Sequence, residues 1–240
     1  MQKADAVICV SNSIKEYIQK HYQTSEDKIT VIPRGIDLEL FNPKNIDEIF
    51  IENFKKEFNL KDKFIVSSVG RVTQLKDYET FIKAILLVKK EIPNIVGLIV
   101  GGVRSDKEDY LNSLKSLIKE LKLEENIIFT GSQSKIEQIY ALSDVVISSS
   151  KKPESFGRAV AEAICMNKPV IATNHGGVKD IIIENVNGFF FEVGDYKELA
   201  KNILESKKLS FDGYNYISSN FSLENMLDKT IAVYKKVLEL

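Results

Sequence analysis

Two cysteines, a net charge of −1 and no long apolar run set the first limits on this 240-residue chain. Cys9 and Cys165 lie far apart, each inside an apolar segment. Two such thiols make neither a disulfide framework nor a metal-ligand spacing, so the chain reads as a protein of a reducing compartment, the cytoplasm. The balance of 33 basic against 34 acidic residues gives no bulk attraction to nucleic acid or to an anionic membrane. Spanning a bilayer takes about 20 apolar residues in a row, and the apolar runs here fall well short. Met1-Gln2-Lys3-Ala4-Asp5 leads straight into a strand pattern, so no signal peptide is expected. A metal-bound diphosphate would need clustered acids, as in Asp-x-Asp runs, near the site described below; none is found there, and no metal is expected.

What the chain does have is alternation. Apolar residues make up 44% of it, enough for a proper core. Buried-strand patterns fall at 64–69, 95–100, 127–130, 145–149, 169–173 and 188–191. Helical apolar spacing falls between and after them, at 76–91, 106–122, 134–142, 156–166, 195–206 and 222–238, with Ser222 as N-cap of the last. Near-continuous apolar strands alternating with helices predict an α/β fold, a Rossmann-like parallel sheet with helices on both faces. Ligands bind such sheets at the carboxyl ends of the strands. Gly70, Gly101, Gly131, Ser150 and Gly176 fall on that edge, and so do Arg71, Lys76, Glu154 and His175. Residues 1–45 stand apart, as two short strands around a helix opened by a Ser13–Glu16 capping box. Residues 44–63, charged and rich in Asn, read as a hinge with one short helix.

The densest chemistry lies in Pro153-Glu154-Ser155-Phe156-Gly157-Arg158-Ala159-Val160-Ala161-Glu162. Glu154 is in the loop above a strand end, and Glu162 is more than a turn inside a helix that packs on the sheet. A carboxylate there is costly unless something polar meets it, either a ligand's hydroxyls or a local partner. The helix amino terminus between them suits a phosphate. A sugar phosphate or nucleotide fits all three features.

The order of motifs resembles a known family. Ser11-Asn12-Ser13 comes first, then Val31-Ile32-Pro33-Arg34-Gly35-Ile36-Asp37 with Phe41-Asn42-Pro43. Gly70-Arg71 with Lys76, Phe129-Thr130-Gly131, Glu154-x7-Glu162, Pro169-Val170-Ile171-Ala172-Thr173, Gly176-Gly177, Asn187-Gly188 and Gly194-Asp195 follow. This looks like the group 1 (family 4) retaining glycosyltransferases of GT-B fold, over nearly the whole chain. The resemblance implies two Rossmann-like domains, one for the nucleotide-sugar donor and one for the acceptor. It divides this chain into the end of the acceptor domain and hinge (1–45), the donor domain (46–221) and a terminal helix (222–240) that crosses back. The chain enters the family pattern in mid-domain, so a truncated chain is expected, inactive by itself.

The resemblance also implies roles. Arg71 and Lys76 grip the diphosphate beside Gly70. Glu162 accepts from the ribose hydroxyls. Glu154 meets the transferred sugar, and with Arg71 and Lys76 forms the catalytic set. Ser155, Phe156, Gly157 and Arg158 offer backbone N–H groups to the distal phosphate or sugar, and Gly131 and Ser132 lie beside the base. His175 is either a cleft residue or an ordinary loop histidine. Asp77 departs from the glycine usual after the lysine. The implied activity is sugar transfer from a nucleoside diphosphate sugar with retention, without cofactor or metal. The implied acceptor is a lipid-linked glycan or cell-surface polysaccharide precursor, met in the cytoplasm at the inner membrane face. A nucleotide-sugar binding module and a sugar-nucleotide epimerase of the same fold are the alternatives.

Overall fold

The structure, a computed structural model, describes residues 4–239. A small unit comes first, with β1 (Val7–Cys9), α1 (Asn12–Tyr22) and β2 (Ile29–Val31). The two strands pair in parallel, Val7 opposite Ile29, and Cys9, Ile18 and Ile29 form its core. The cap of α1 differs from the expected capping box. Ser11, in extended backbone, accepts from the Ile14 N–H at 3.3 Å, so the helix begins before Ser13.

The segment 44–63 holds the one short helix read there, and that helix is packed against the main core. Asp47 caps α2 (Glu48–Glu57), and Phe54 and Leu60 are buried with Ile65, Val96 and Leu98. The charges occupy the outer face of α2, and its inner face closes one side of the main core.

That core surrounds a six-stranded, all-parallel sheet. Its strands are β3 (Phe64–Val69), β4 (Ile95–Val100), β5 (Ile127–Gly131), β6 (Val145–Ser148), β7 (Val170–Thr173) and β8 (Gly188–Phe191). The order is β5-β4-β3-β6-β7-β8. One face packs on α3 (Tyr78–Val88), α4 (Glu108–Glu120) and α7 (Tyr196–Ser206), through Phe81, Ile85, Leu114 and Leu199. The other carries α2, α5 (Ile136–Leu142) and α6 (Arg158–Cys165).

A further helix, α8 (Gly213–Phe221), was not anticipated. Only Ile217 and Phe221 give it apolar spacing. Gly213 is required because a Cβ there would come 1.9 Å from the Ile164 carbonyl oxygen. Ser222 caps α9 (Leu223–Leu238), as its sequence implied. Leu223, Leu227, Ile231 and Tyr234 of α9 are exposed.

The small unit joins the large one beside α9. The Ile36 N–H donates to the Phe221 carbonyl at 2.8 Å, and the Leu223 N–H to the Ile36 carbonyl at 3.2 Å. Ile36 and Phe41 are buried in the same core as Tyr140 and Val160. Among the described residues no helix is long and apolar enough to cross a membrane.

Candidate active site

The strand order reverses between β3 and β6: from β3 the chain moves to β4 on one side, from β6 to β7 on the other. Their exits diverge and leave a crevice at the carboxyl edge of the sheet. The β3 exit carries Gly70, Arg71 and Lys76, and the β6 exit carries Ser149, Ser150 and Glu154.

The two exits are stitched together. The Ser149 hydroxyl donates to the Lys76 carbonyl at 2.7 Å, and the Lys151 N–H to the Leu75 carbonyl at 2.8 Å. The Lys76 ammonium pairs with the Glu154 carboxylate, both side chains about three-quarters buried. The Ser150 hydroxyl donates to the same Glu154 oxygen at 2.6 Å. Burial pushes the Glu154 carboxyl up, but Lys76, Ser150 and His175 together outweigh it and hold it below the usual carboxylate range. The pair is a charged latch across the switch point.

His175 braces that latch. A carbonyl only accepts, so its Nε2–H donates to the Ser150 carbonyl at 2.8 Å, with Thr173 Oγ1 at 2.9 Å. The Gly177 N–H donates to the Glu154 carbonyl at 2.8 Å. A cavity of about 330 Å³ opens beside this loop, between Asn12, Ser13 and Glu16 of α1 and His175 and Gly176 of the β7 exit. The small unit is fixed over it by Asp180, whose carboxylate accepts from the Asn12 N–H at 2.7 Å and the Asn12 side chain at 3.2 Å.

Beyond Glu154 the chain turns at Gly157, whose φ of +100° and close approach to Val178 (a Cβ would come 2.6 Å from its Cγ1) admit no side chain. Phe156 is buried against Phe221, ring centres 6.0 Å apart. Ser155 and Arg158 are exposed. Helix α6 starts here, so its first N–H groups face the crevice end of the fold.

Glu162 lies one turn further. Its Oε2 accepts from the Tyr140 hydroxyl at 3.0 Å. Burial raises its carboxyl to about 7, against the opposing pull of the Tyr140 hydrogen bond and the Arg158 charge. A carboxyl poised there changes protonation easily when a hydrogen-bonding partner arrives.

Lys76, Glu154 and His175 thus form one connected cluster, with Glu162 on the adjoining helix. Arg71 is exposed on the same β3 exit. Gly131 and Ser132 sit at the end of β5, two strands from β3, with no side-chain bond to the cluster among the described residues. Where Gly131 would carry a Cβ, nothing lies within 4 Å, and its φ is +69°.

One participant, Tyr140, was not singled out from the sequence. Ser150 was placed on the carboxyl edge but given no role, and Asp77 was noted only as a departure from glycine. Asp77 has φ +49°, the left-handed conformation that glycine adopts freely, and its buried carboxylate accepts from Thr80 Oγ1 at 2.7 Å and pairs with Lys151 at 3.2 Å. It keeps glycine's backbone and adds a second link between the two exits.

The model of the glycosyl transferases group 1 family matches residues 50–220. The chain belongs to that family. The model of glycosyltransferase family 4 matches residues 1–40. A Methanocaldococcus jannaschii protein described as an uncharacterized glycosyltransferase is 28% identical over 99% of this chain and 59% of its own length. The crystal structure of a Rickettsia africae glycosyltransferase superposes with a TM-score of 0.92 at 33% identity, over 99% of this chain and 64% of that one. Anabaena HepE in complex with UDP and glucose gives 0.85 at 25% identity, over 97% and 63%. The α/β fold, a parallel sheet flanked by helices, matches these GT-B structures, and the chain spans about 59% to 64% of these relatives' length.

Proposed function

We propose that this chain supplies the donor-binding half of an enzyme that transfers a sugar from a nucleoside diphosphate sugar to an acceptor. The observation that carries this reading is the Lys76–Glu154 latch at the switch point, with Glu162 eight residues on. In the reading, Lys76 exchanges Glu154 for the diphosphate and Arg71 closes from the same exit. Gly70 lets the phosphates approach the backbone. As the glycosidic bond breaks, the leaving diphosphate gains negative charge that these two cations stabilise. Glu154, released from Lys76, meets the sugar hydroxyls. The N–H groups of 155–158 take the distal phosphate or sugar, Glu162 takes the ribose hydroxyls, and Gly131 and Ser132 border the base. His175 holds the Glu154 loop. No metal is needed in this scheme, because the basic pair neutralises the diphosphate.

Retention of configuration, a cytoplasmic setting and a glycan-precursor acceptor rest on the family resemblance. The binding-module reading keeps one support: the chain covers 59% of its archaeal relative. We therefore expect these 240 residues to hold donor and to transfer sugar only together with the rest of a longer protein.

A thermal-shift panel of UDP, GDP and ADP and their sugars tests the reading. A ligand at 100 times its Kd stabilises by about 2.7 kcal/mol, which raises Tm by roughly 5–10 °C in a chain of this size. No shift with any member sinks the proposal. Conversion of the donor sugar without acceptor would support an epimerase instead.

A further inference from the structure

We propose that Tyr140 is the positioning residue of the nucleotide site, its hydroxyl holding the Glu162 carboxylate in the orientation that receives the ribose. The inference rests on the ribose reading of Glu162.

Tyr140 sits in the last turns of α5 and is completely buried. Its hydroxyl spends its one proton on Glu162 Oε2 at 3.0 Å. Burial first, then the Glu162 and Glu154 charges, keep the phenol protonated far above neutral pH. Opposite a carboxylate it therefore only donates. Among the described residues the Glu162 carboxylate has no other protein hydrogen-bond partner, so Oε1 remains for a ligand.

The ring is seated from a third segment. Phe41 lies 6.2 Å away, centre to centre, and its carbonyl accepts from Cys165, three residues after Glu162 on α6. Tyr140 is thus clamped between the segment arriving from the small unit, α5 and α6, and it passes that rigidity to a single carboxylate. A glutamate has rotamer freedom to lose on binding. A fixed donor removes part of that loss before the ligand arrives. The hydroxyl also gives a largely buried carboxyl its one polar side-chain partner among the described residues, so the test below separates that structural role from a positioning one.

The test is a double-mutant cycle with the chain as it exists. Uridine, guanosine and adenosine and their diphosphates are titrated calorimetrically against wild type, Tyr140→Phe, Glu162→Gln and the double variant, using the nucleoside that binds. Each variant is checked by circular dichroism and melting. Tyr140→Phe is expected to weaken nucleoside and diphosphate alike, by about 3- to 10-fold, the range of one ordinary hydrogen bond. In the Glu162→Gln background the same change should matter less than about 2-fold. Proton release on nucleoside binding, from titrations in buffers of different ionisation enthalpy, adds a second readout. Besides Tyr140, the groups facing Glu162 are Arg158 and Cys165 on its own helix. Losing the phenol donor raises the Glu162 carboxyl further, so Tyr140→Phe should release more protons at pH 7 than wild type. Equal losses in both backgrounds, or unchanged proton release, would show a packing role and overturn the inference. Nucleoside binding unchanged in Tyr140→Phe but weakened in Glu162→Gln overturns it while the ribose reading stands. Nucleoside binding unchanged in Glu162→Gln removes both.

Discussion

Glu154 and Glu162 stand eight residues apart, and the fold treats them in opposite ways. Both are largely buried, and burial pushes both carboxyls up. Glu154 meets the Lys76 ammonium and the Ser150 hydroxyl, with His175 near by, and falls below the usual range. Glu162 meets a neutral phenol and rises to about 7. The partner, not the depth, decides the outcome. The difference also separates two tasks. One carboxylate is permanently charged and already occupied, so a ligand must displace its cation. The other is near its titration point with one oxygen unclaimed, so a ligand must displace a proton. Paired groups driven apart in this way mark an acid and a base position in many sites.

The largest predicted effect breaks the Glu154 end. Lys76→Met removes the cation and strands a buried carboxylate. A charge-assisted hydrogen bond contributes roughly 1.5–3 kcal/mol, so nucleoside diphosphate affinity should fall about 30-fold or more, while nucleoside affinity stays put. Arg71→Ala should show the same selectivity with a smaller loss that shrinks in salt, because Arg71 is exposed. Calorimetric titration of both ligands reads it. If Lys76→Met weakens the bare nucleoside as much as the diphosphate, the division of tasks is wrong.

The Glu162 end should break differently. Glu162→Gln is expected to weaken nucleoside and diphosphate together, about tenfold, the effect of roughly 1.4 kcal/mol. Its pH signature has a fixed sign. Free Glu162 is half protonated near pH 7, and the ribose hydroxyls favour the carboxylate. Nucleoside affinity should therefore rise with pH up to about 7 and level off above it. The nucleoside serves as probe because a diphosphate titrates in the same range. Stability runs the other way. The unfolded glutamate ionises near its ordinary 4.5 and the folded one near 7. Between those values the folded state holds more protons, so wild type loses stability against Glu162→Gln as pH rises through that window. A flat affinity profile in wild type between pH 6 and 8 would contradict the assignment.

The two ends also differ in how much of them the sequence shows. The fold was legible because parallel strands buried on both faces leave unbroken apolar runs such as Ile95–Val100. The helix α8 was not, since Gly213-Tyr214-Asn215-Tyr216 has no clear apolar stripe and gains its helix from contact with α6. The charge of 44–63 hid the buried face of α2 in the same way. At the Glu154 end, residue types with charges announced themselves, and the motif spacing gathered Lys76 and Glu154 on one edge. At the Glu162 end, the partner is Tyr140, an aromatic among core residues. A buried tyrosine and a buried phenylalanine read alike until the neighbour of the hydroxyl is known. The same holds for Asp77, whose fitness depends on a backbone angle that no residue type states.

The smallest prediction sharpens the comparison at that residue. The Lys76 end rests on a left-handed residue at φ +49°, whereas Glu162 rests inside an ordinary helix. Aspartate tolerates that conformation better than most side chains, and glycine tolerates it freely. Asp77→Gly keeps the backbone and loses the Thr80 bond and the Lys151 pair. Asp77→Ala loses these and adds backbone strain. Asp77→Asn keeps the conformation and an acceptor for Thr80, and loses only the pairing with a half-exposed lysine, which contributes little. Melting temperatures should fall in the order Asn, Gly, Ala. The step from Gly to Ala should be about 1 kcal/mol, the strain of one left-handed residue, or roughly 2–4 °C here. Because the strained residue follows Lys76 directly, any loss of ligand affinity in the three variants should appear with the diphosphate and not with the nucleoside. Asp77→Ala melting at or above Asp77→Gly would show that conformation is not what this position demands, and the Lys151 pair would then be the reason an aspartate stands here.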